Sequence, residues 1–384
     1  MLSPNPSRDP SASTSVSRAV AALAVALALL AAPAAPAQPL GGDVVGAPTS
    51  AAIDTDAIDR YIADHRDGLL SVEDPEAHAR AVERLIEPLL RPTVSVAFRN
   101  AYGDALEPFL LDLTPATSYG LPQGRITILR LSGALATERS ANRVLDAMSS
   151  EDAAVRYFAA YSARRLFEAA ARTNPAFTPG TAGRLIGALE TRVVESTDPG
   201  FASAALVALE TAGDRDRPPR IEGFPAAARI AMADASRRRV LALSSSAIDE
   251  PDELDVLLRA GVAAQESARA GSEAAAREAV GFAGSLLGIV LERLEQRIAS
   301  DGGGGVNHQS PDARLASLAE TVLAVASERD LGNGGSGVAV PEIRAMLIRG
   351  DRGVRTEILG LIGRGGRLTE APYGFEPAAL GLSG

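Results

Sequence analysis

The stretch Asp152-Ala153-Ala154-Val155-Arg156-Tyr157-Phe158-Ala159 decides the fold. Aspartate is a good helix N-cap, and the branched Val155, the following arginine and small Ala159 one turn on describe an amphipathic helix that buries its valine. The spacing predicts a helix over 152–172, with Val155, Phe158, Ala159, Ser162, Ala163 and Leu166 on one stripe. Ser149 and Asp152 have the spacing of a capping box, with Ser149 as the cap, and Asp152 stands four residues before Arg156, the favourable order for a helical ion pair.

The phrase returns. Asp198-Pro199-Gly200-Phe201-Ala202 opens another helix 46 residues later, and Asp351-Arg352-Gly353-Val354-Arg355 repeats the valine and the arginine near the end. A looser echo at 273–280 keeps only the acid and Arg277. A spacing of 46 lies in the range of helical units that stack on one another. Elsewhere alanine-rich segments with apolar residues three and four apart alternate with Gly, Pro and Asp, and the two segments with strand-like composition, 93–97 and 126–131, are short and flanked by helical pattern. Helices are predicted at 55–67, from the Asp74-Pro75 cap with Pro88 kinking or ending the helix, and at 126–136, 139–148, 185–194, 225–243, 251–270, 273–299, 341–349 and 354–362.

These residues resemble the HEAT-repeat α-solenoids, clearly over 141–166 and less so over 181–212 and 345–362. The resemblance implies an all-α fold, a right-handed array of antiparallel helix pairs irregular at both ends. In that family the turn aspartate and the following arginine form a polar ladder between units. Asp152 with Arg156 and Asp351 with Arg355 fit those positions, whereas Ala202 stands where the arginine after Asp198 belongs.

The chain divides into a signal peptide at 1–37, a disordered leader at 38–50, N-terminal helices at 51–120, a HEAT-like core at 121–300, a glycine linker at 301–310, a helical unit at 311–363 and a loose tail at 364–384. Arg8 and Arg18 supply the positive region of the signal, 19–32 its apolar region, and Ala35-Pro36-Ala37 the cleavage site before Gln38. The mature protein is therefore expected to be exported, periplasmic or extracellular, and without a membrane span. The nearest later approach to one, 279–291, is interrupted by Gly281, Gly284 and Gly288.

Composition excludes several chemistries. All 38 basic residues are arginine, so Schiff-base lysines, Walker lysines and Ser-Lys dyads are impossible. There is no cysteine, hence neither disulfide nor thiolate ligand. Loss of the signal leaves a formal charge of −11, which with few aromatics disfavours nucleic acid as a partner. Three histidines leave little room for a metal: His65 and His78 are expected at solvated helix ends and His308 in a glycine linker. Arg237-Arg238-Arg239 is the one dense basic cluster; a helix fans three such residues over about 200°, so they are expected on a solvated face. Gly335-Ser336-Gly337 lacks the setting of a nucleophile elbow. No catalytic, cofactor-binding or metal residue is assigned. The expected function is a non-catalytic scaffold that binds a protein or peptide. A self-assembling component of the cell envelope is the alternative, and a hydrolase built from scattered acids and histidines comes third.

Overall fold

A computed structural model describes residues 39–71, 74–113, 123–173, 176–301, 304–332 and 339–382. The proposed signal, 1–37, and the Gly335-Ser336-Gly337 stretch lie outside these. Among the described residues the chain is all-α, with a single bridge between Thr137 and Ala176 as the one β-type contact. The segments 93–97 and 126–131 form no strand: α3 starts at Val96 and α4 covers all of the second.

The helices come in antiparallel pairs. The N-terminal pairs are α1 (Thr55–Leu69) with α2 (Pro75–Ile86) and α3 (Val96–Asp112) with α4 (Gln123–Leu135). Next come α5 (Glu138–Ala147) with α6 (Ala153–Arg172), and α7 (Pro179–Glu195) with α8 (Pro199–Ala212). Then follow α9 (Phe224–Ala242) with α10 (Pro251–Ala270), α11 (Glu273–Asp301) with α12 (Pro311–Gly332), and short α13 (Ile343–Arg349) with α14 (Val354–Ile362). Local chemistry sets the boundaries. Asp54, Asp74, Asp152 and Asp198 cap their helices by accepting first-turn amides, and Pro88 turns the end of α2 into a 3₁₀ turn.

The pairs stack in two layers. In the first, the Thr178 amide donates to Glu138 (2.8 Å), Arg184 to Asn142 (2.8 Å) and Arg192 to Ser149 (2.9 Å), start to start and end to end, so α5 and α7 run parallel. In the second, α6 and α8, opened by Asp152 and Asp198, pack directly on each other, as do α8 with α10 and α10 with α12. Their contact surfaces are alanine-rich, which lets the backbones approach. A Cβ on Gly133 of α4 would lie 3.0 Å from the Ser162 carbonyl oxygen of α6.

The last pair breaks the order. Its first helix, α13, packs on second-layer α12, while α14 lies against first-layer α11, where Arg355 meets Glu295 at 3.0 Å. The helix after Asp351 therefore does not continue the stack begun at Asp152 and Asp198.

Several expectations are corrected. Asp152, not Ser149, is the cap of α6: its carboxylate accepts the Ala154 and Val155 amides at 2.8 and 3.2 Å, while Ser149 receives Arg192. Among the described residues Arg156 pairs with no acid; it donates to the Ser150 and Glu151 carbonyls at 2.9 and 2.8 Å, closing its own turn. Arg355 pairs with Glu295 rather than Asp351, so the family's ladder is absent from both expected positions. Arginines in the C-terminal halves of first-layer helices take its place. Buried Arg239 of α9 donates to the Val193 and Ser196 carbonyls of the preceding turn and pairs at 2.5 Å with Glu253 in the first turn of its partner helix. Arg293 of α11 does the same with the Ser245 carbonyl and Asp312.

The leader at 39–50 is ordered rather than loose: Leu40, Val45 and Ala47 are buried, and Arg91 donates to the Leu40 carbonyl. In the linker, the Val306 amide donates to the Leu347 carbonyl at 3.2 Å and ties α13 down. The tail is packed as well. Leu368, Tyr373, Phe375 and Leu380 are buried, and Gly281, Gly284 and Gly288 of α11 make room for them: a Cβ on Gly288 would lie 2.2 Å from the Leu380 carbonyl oxygen. The three glycines thus shape a groove for the tail. Helix α11 is long and apolar enough to cross a membrane, yet 78% of its most apolar window is buried inside the protein as core.

Candidate functional site

The three histidines do not converge. His78 is no solvated helix-end residue: it is 5% exposed, with Nδ1 at 2.9 Å from the Leu69 carbonyl and Nε2 at 2.8 Å from the Thr127 hydroxyl. A carbonyl can only accept, so Nδ1 carries the proton and Nε2 accepts from Thr127, which joins α2 to α4. Burial, reinforced by the charge of Arg130, lowers the His78 pKa and keeps the ring neutral. His65 binds the Tyr61 carbonyl one turn back, and His308 is exposed. Among the described residues no group of three His, Asp or Glu side chains is placed to hold a metal ion.

Of Arg237-Arg238-Arg239 only Arg238 is solvent-exposed as expected; Arg237 is half-buried and Arg239 buried. The helix fans the three apart as expected, but each ends on a protein acceptor: Arg237 on Asp234 and Glu278, Arg238 on Glu190 and Asp234, Arg239 on Glu253. They bind α9 to its neighbours.

A different set of arginines is gathered where the second-layer helices end. Three concavities there share walls. The first, of about 80 Å3, lies between the end of α2, α4 and α6, and is lined by Arg91, Arg99, Arg130, Arg165 and Arg172. The second, of about 630 Å3, shares Arg165, Glu168 and Arg172 with it and adds Arg164, Arg217 and Arg220. The third, of about 680 Å3, shares Arg164, Thr211, Asp214 and Asp216 with the second, and adds Arg215, Arg229, Arg259 and Arg269. Shared walls make the three one trough across the C-terminal turns of α6, α8 and α10.

Its charge is opposite to that of the chain. The trough holds twelve arginines against five carboxylates, Glu168, Glu210, Asp214, Asp216 and Glu266, a surplus of +7 in a protein whose total is −10. Of the twelve, only Arg164, Arg165 and Arg269 have a carboxylate within 4 Å among the described residues. Most trough arginines thus lack a carboxylate partner, although Arg91, Arg99 and Arg229 donate to backbone carbonyls.

Its floor is built by Arg99 of α3, which is 1% exposed and donates to the Ala134, Leu135 and Leu89 carbonyls at 2.7, 3.0 and 3.2 Å. It satisfies the carbonyls that α4 leaves open at its end. Among the described residues no carboxylate accompanies it, and burial, with the charge of Arg172 adding, lowers its pKa to about 10. Arg165 stacks on the Tyr161 ring, 5.3 Å from its centre, and shares Glu168 with Arg164.

The trough escaped the sequence reading because each arginine has an ordinary local explanation: Arg172 and Arg269 end helices, where a positive charge complements the dipole. Recurrence of arginine at the ends of α6 and α10 and just beyond α8, but not of lysine-free charge in general, is the signal that was available.

Against protein-family models, curated proteins and solved structures alike, the chain has no match.

Proposed function

We propose that this protein is an exported, non-catalytic α-solenoid of HEAT-like construction that holds an extended acidic segment of a partner protein or peptide in the arginine trough. The observation that carries the reading is the trough itself, with twelve arginines, nine of them free of ion pairs, in an otherwise acidic chain. An array of stacked helix pairs offers a long continuous surface, and guanidinium groups suit carboxylates in both charge and geometry. Repulsion between an acidic protein and an acidic ligand is overcome only where positive charge is concentrated, so the same arrangement sets where on the surface the ligand docks. Duplex or single-stranded nucleic acid is a poorer occupant, because the field outside the trough repels it and the trough's aromatic surface is limited to Tyr161.

Fluorescence anisotropy with a labelled peptide of alternating Glu and Ser tests this. Binding is expected to weaken with salt, to disappear when Gln replaces Glu, and to fall roughly tenfold or more in Arg215→Glu with Arg259→Glu. Equal affinity for the Glu and Gln peptides would overturn the reading. Export is tested separately: protein recovered from the native envelope is expected to begin at Gln38, and recovery from the cytosol with an intact N-terminus would refute it.

A further inference from the structure

The smallest of the three concavities is distinct from the rest. At about 80 Å3 it is too small for a peptide strand but large enough for one compact charged group. Ile86, Leu89 and Leu90 give the cavity an apolar side. Five guanidinium groups face one carboxylate, Glu168, and that carboxylate is already engaged by Arg164 and Arg165.

Most of these arginines have work elsewhere, and what remains is specific. Arg91 donates to the Leu40 carbonyl and Arg165 is held by Glu168 and Tyr161. Arg99 uses both terminal nitrogens on carbonyls, while its Nε is buried with no partner. Arg130 and Arg172, which flank the cavity on α4 and α6, have neither a carboxylate nor a hydrogen-bond acceptor among the described residues. The C-terminal dipoles of α4 and α6 offset about half a charge each, so a surplus of about +3 is left around the cavity. A buried N–H without an acceptor and an uncompensated charge beside it are both unfavourable unless something fills the space.

We propose that this cavity is a subsite for a single compact oxyanion, a carboxylate or a phosphate group, held by the guanidinium groups of Arg130 and Arg172 with the buried charge of Arg99 beneath them. The site draws positive charge from three different helices, α3, α4 and α6, with donors from α4 and α6, so one anion joins the N-terminal helices to the array. The subsite rests on the trough reading only for the source of the anion: either an end or side chain of a peptide lying in the trough, or free inorganic phosphate.

Isothermal titration calorimetry on the whole mature chain, with inorganic phosphate and separately with acetate as probes, tests it. Saturable one-to-one binding of at least one probe is expected. Arg130→Glu and Arg172→Glu are each expected to weaken it about tenfold or more, Arg172→Gln less, and Arg349→Glu on the far side of α13 not at all. Both rim residues reach solvent, so circular dichroism is expected to find these variants folded; Arg99 is left intact because it holds helix ends. Lack of saturable binding of both probes, or equal binding by wild type and both Glu variants, overturns the subsite whatever the peptides do. The acidic peptide with a free or an amidated C-terminus separates the sources. Competition by phosphate with either form assigns the anion to the peptide, to its terminus if amidation removes the competition and to a side chain if it does not. Phosphate binding that leaves peptide affinity unchanged assigns it to free phosphate. Phosphate binding with no peptide binding leaves the subsite standing and removes the trough reading.

Discussion

The N-terminal helices and the array behind them are built on different principles, although α4 belongs to both. Among the described residues the N-terminal core has twenty members, of which only Ala81 and Ala134 are alanine, and Tyr61, Phe98 and Tyr102 fill its centre. In the array core 23 of 67 residues are alanine, so its helices pack close and gain less from each side chain they bury. Buried arginine differs in the same way. Arg99 binds three carbonyls and no acid, whereas Arg239 and Arg293 each combine a turn carbonyl with a carboxylate of the partner helix. Large side chains let a small unit hold a single unpaired cation. Close-packed helices with smaller side chains rely on paired charges to fix how successive units sit. The anion subsite lies where the two regimes meet, with Arg99 and Arg130 supplied from the N-terminal helices and Arg172 from the array.

Substitution of the two buried arginines is the sharpest test of that contrast. Arg239→Ala strands Glu253, whose side chain is 6% exposed, and is expected to lower stability by about 3–5 kcal/mol in urea denaturation. The double change Arg239→Met with Glu253→Leu is expected to recover most of the loss, since it removes both charges. Arg99→Ala strands neutral carbonyls and is expected to cost about 2–3 kcal/mol. A larger loss for Arg99→Ala than for Arg239→Ala would break the comparison.

Smaller effects refine it. Gly288→Val collides with the Leu380 carbonyl and is expected to displace the tail, costing about 1–3 kcal/mol and exposing 364–382 to limited proteolysis. A tail that stays protected in this variant would show that it is not held by the α11 groove. Arg156→Ala removes two hydrogen bonds to turn carbonyls and is expected to cost about 1 kcal/mol with no effect on peptide affinity. Loss of affinity at full stability would move Arg156 from the fold to a binding surface.

The smallest effect is the pH response of His78. Its pKa is lowered in the folded protein, so the unfolded chain binds the proton more readily, and stability is complete above the unfolded value of 6.5 and declines as pH falls below it. His78→Gln keeps a hydrogen-bonding side chain without titrating there, and is expected to flatten this part of the profile. An unchanged slope between pH 7 and 5 would assign the response to other groups.

Much of this fold is legible in the order of residues. The Asp-Pro and Asp-x-x caps, the stop at Pro88 and the three- and four-residue spacing of apolar side chains are local signals, and α10 and α14 begin and end where the pattern places them. Glycine-rich and charged segments misled for a physical reason. Gly281, Gly284 and Gly288 interrupt an apolar run in sequence, but in space they are a track cut to fit Phe375 and Leu380, residues nearly a hundred positions away. Arg156 stands four residues from an acid, yet turn carbonyls nearer to hand outcompete it.

Sequence alone determined the helical class, the caps that divide the chain into pairs and the absence of lysine and cysteine chemistry, because those depend on neighbours within a turn or on composition. Tertiary structure alone decided which arginines became staples and which became free donors. A guanidinium reaches some 6–7 Å from its backbone, and whether it finds a carboxylate there depends on which helices the stack sets side by side. It likewise decided that α13 and α14 exchange layers and that the tail fills the α11 groove, since those choices turn on close packing between distant segments.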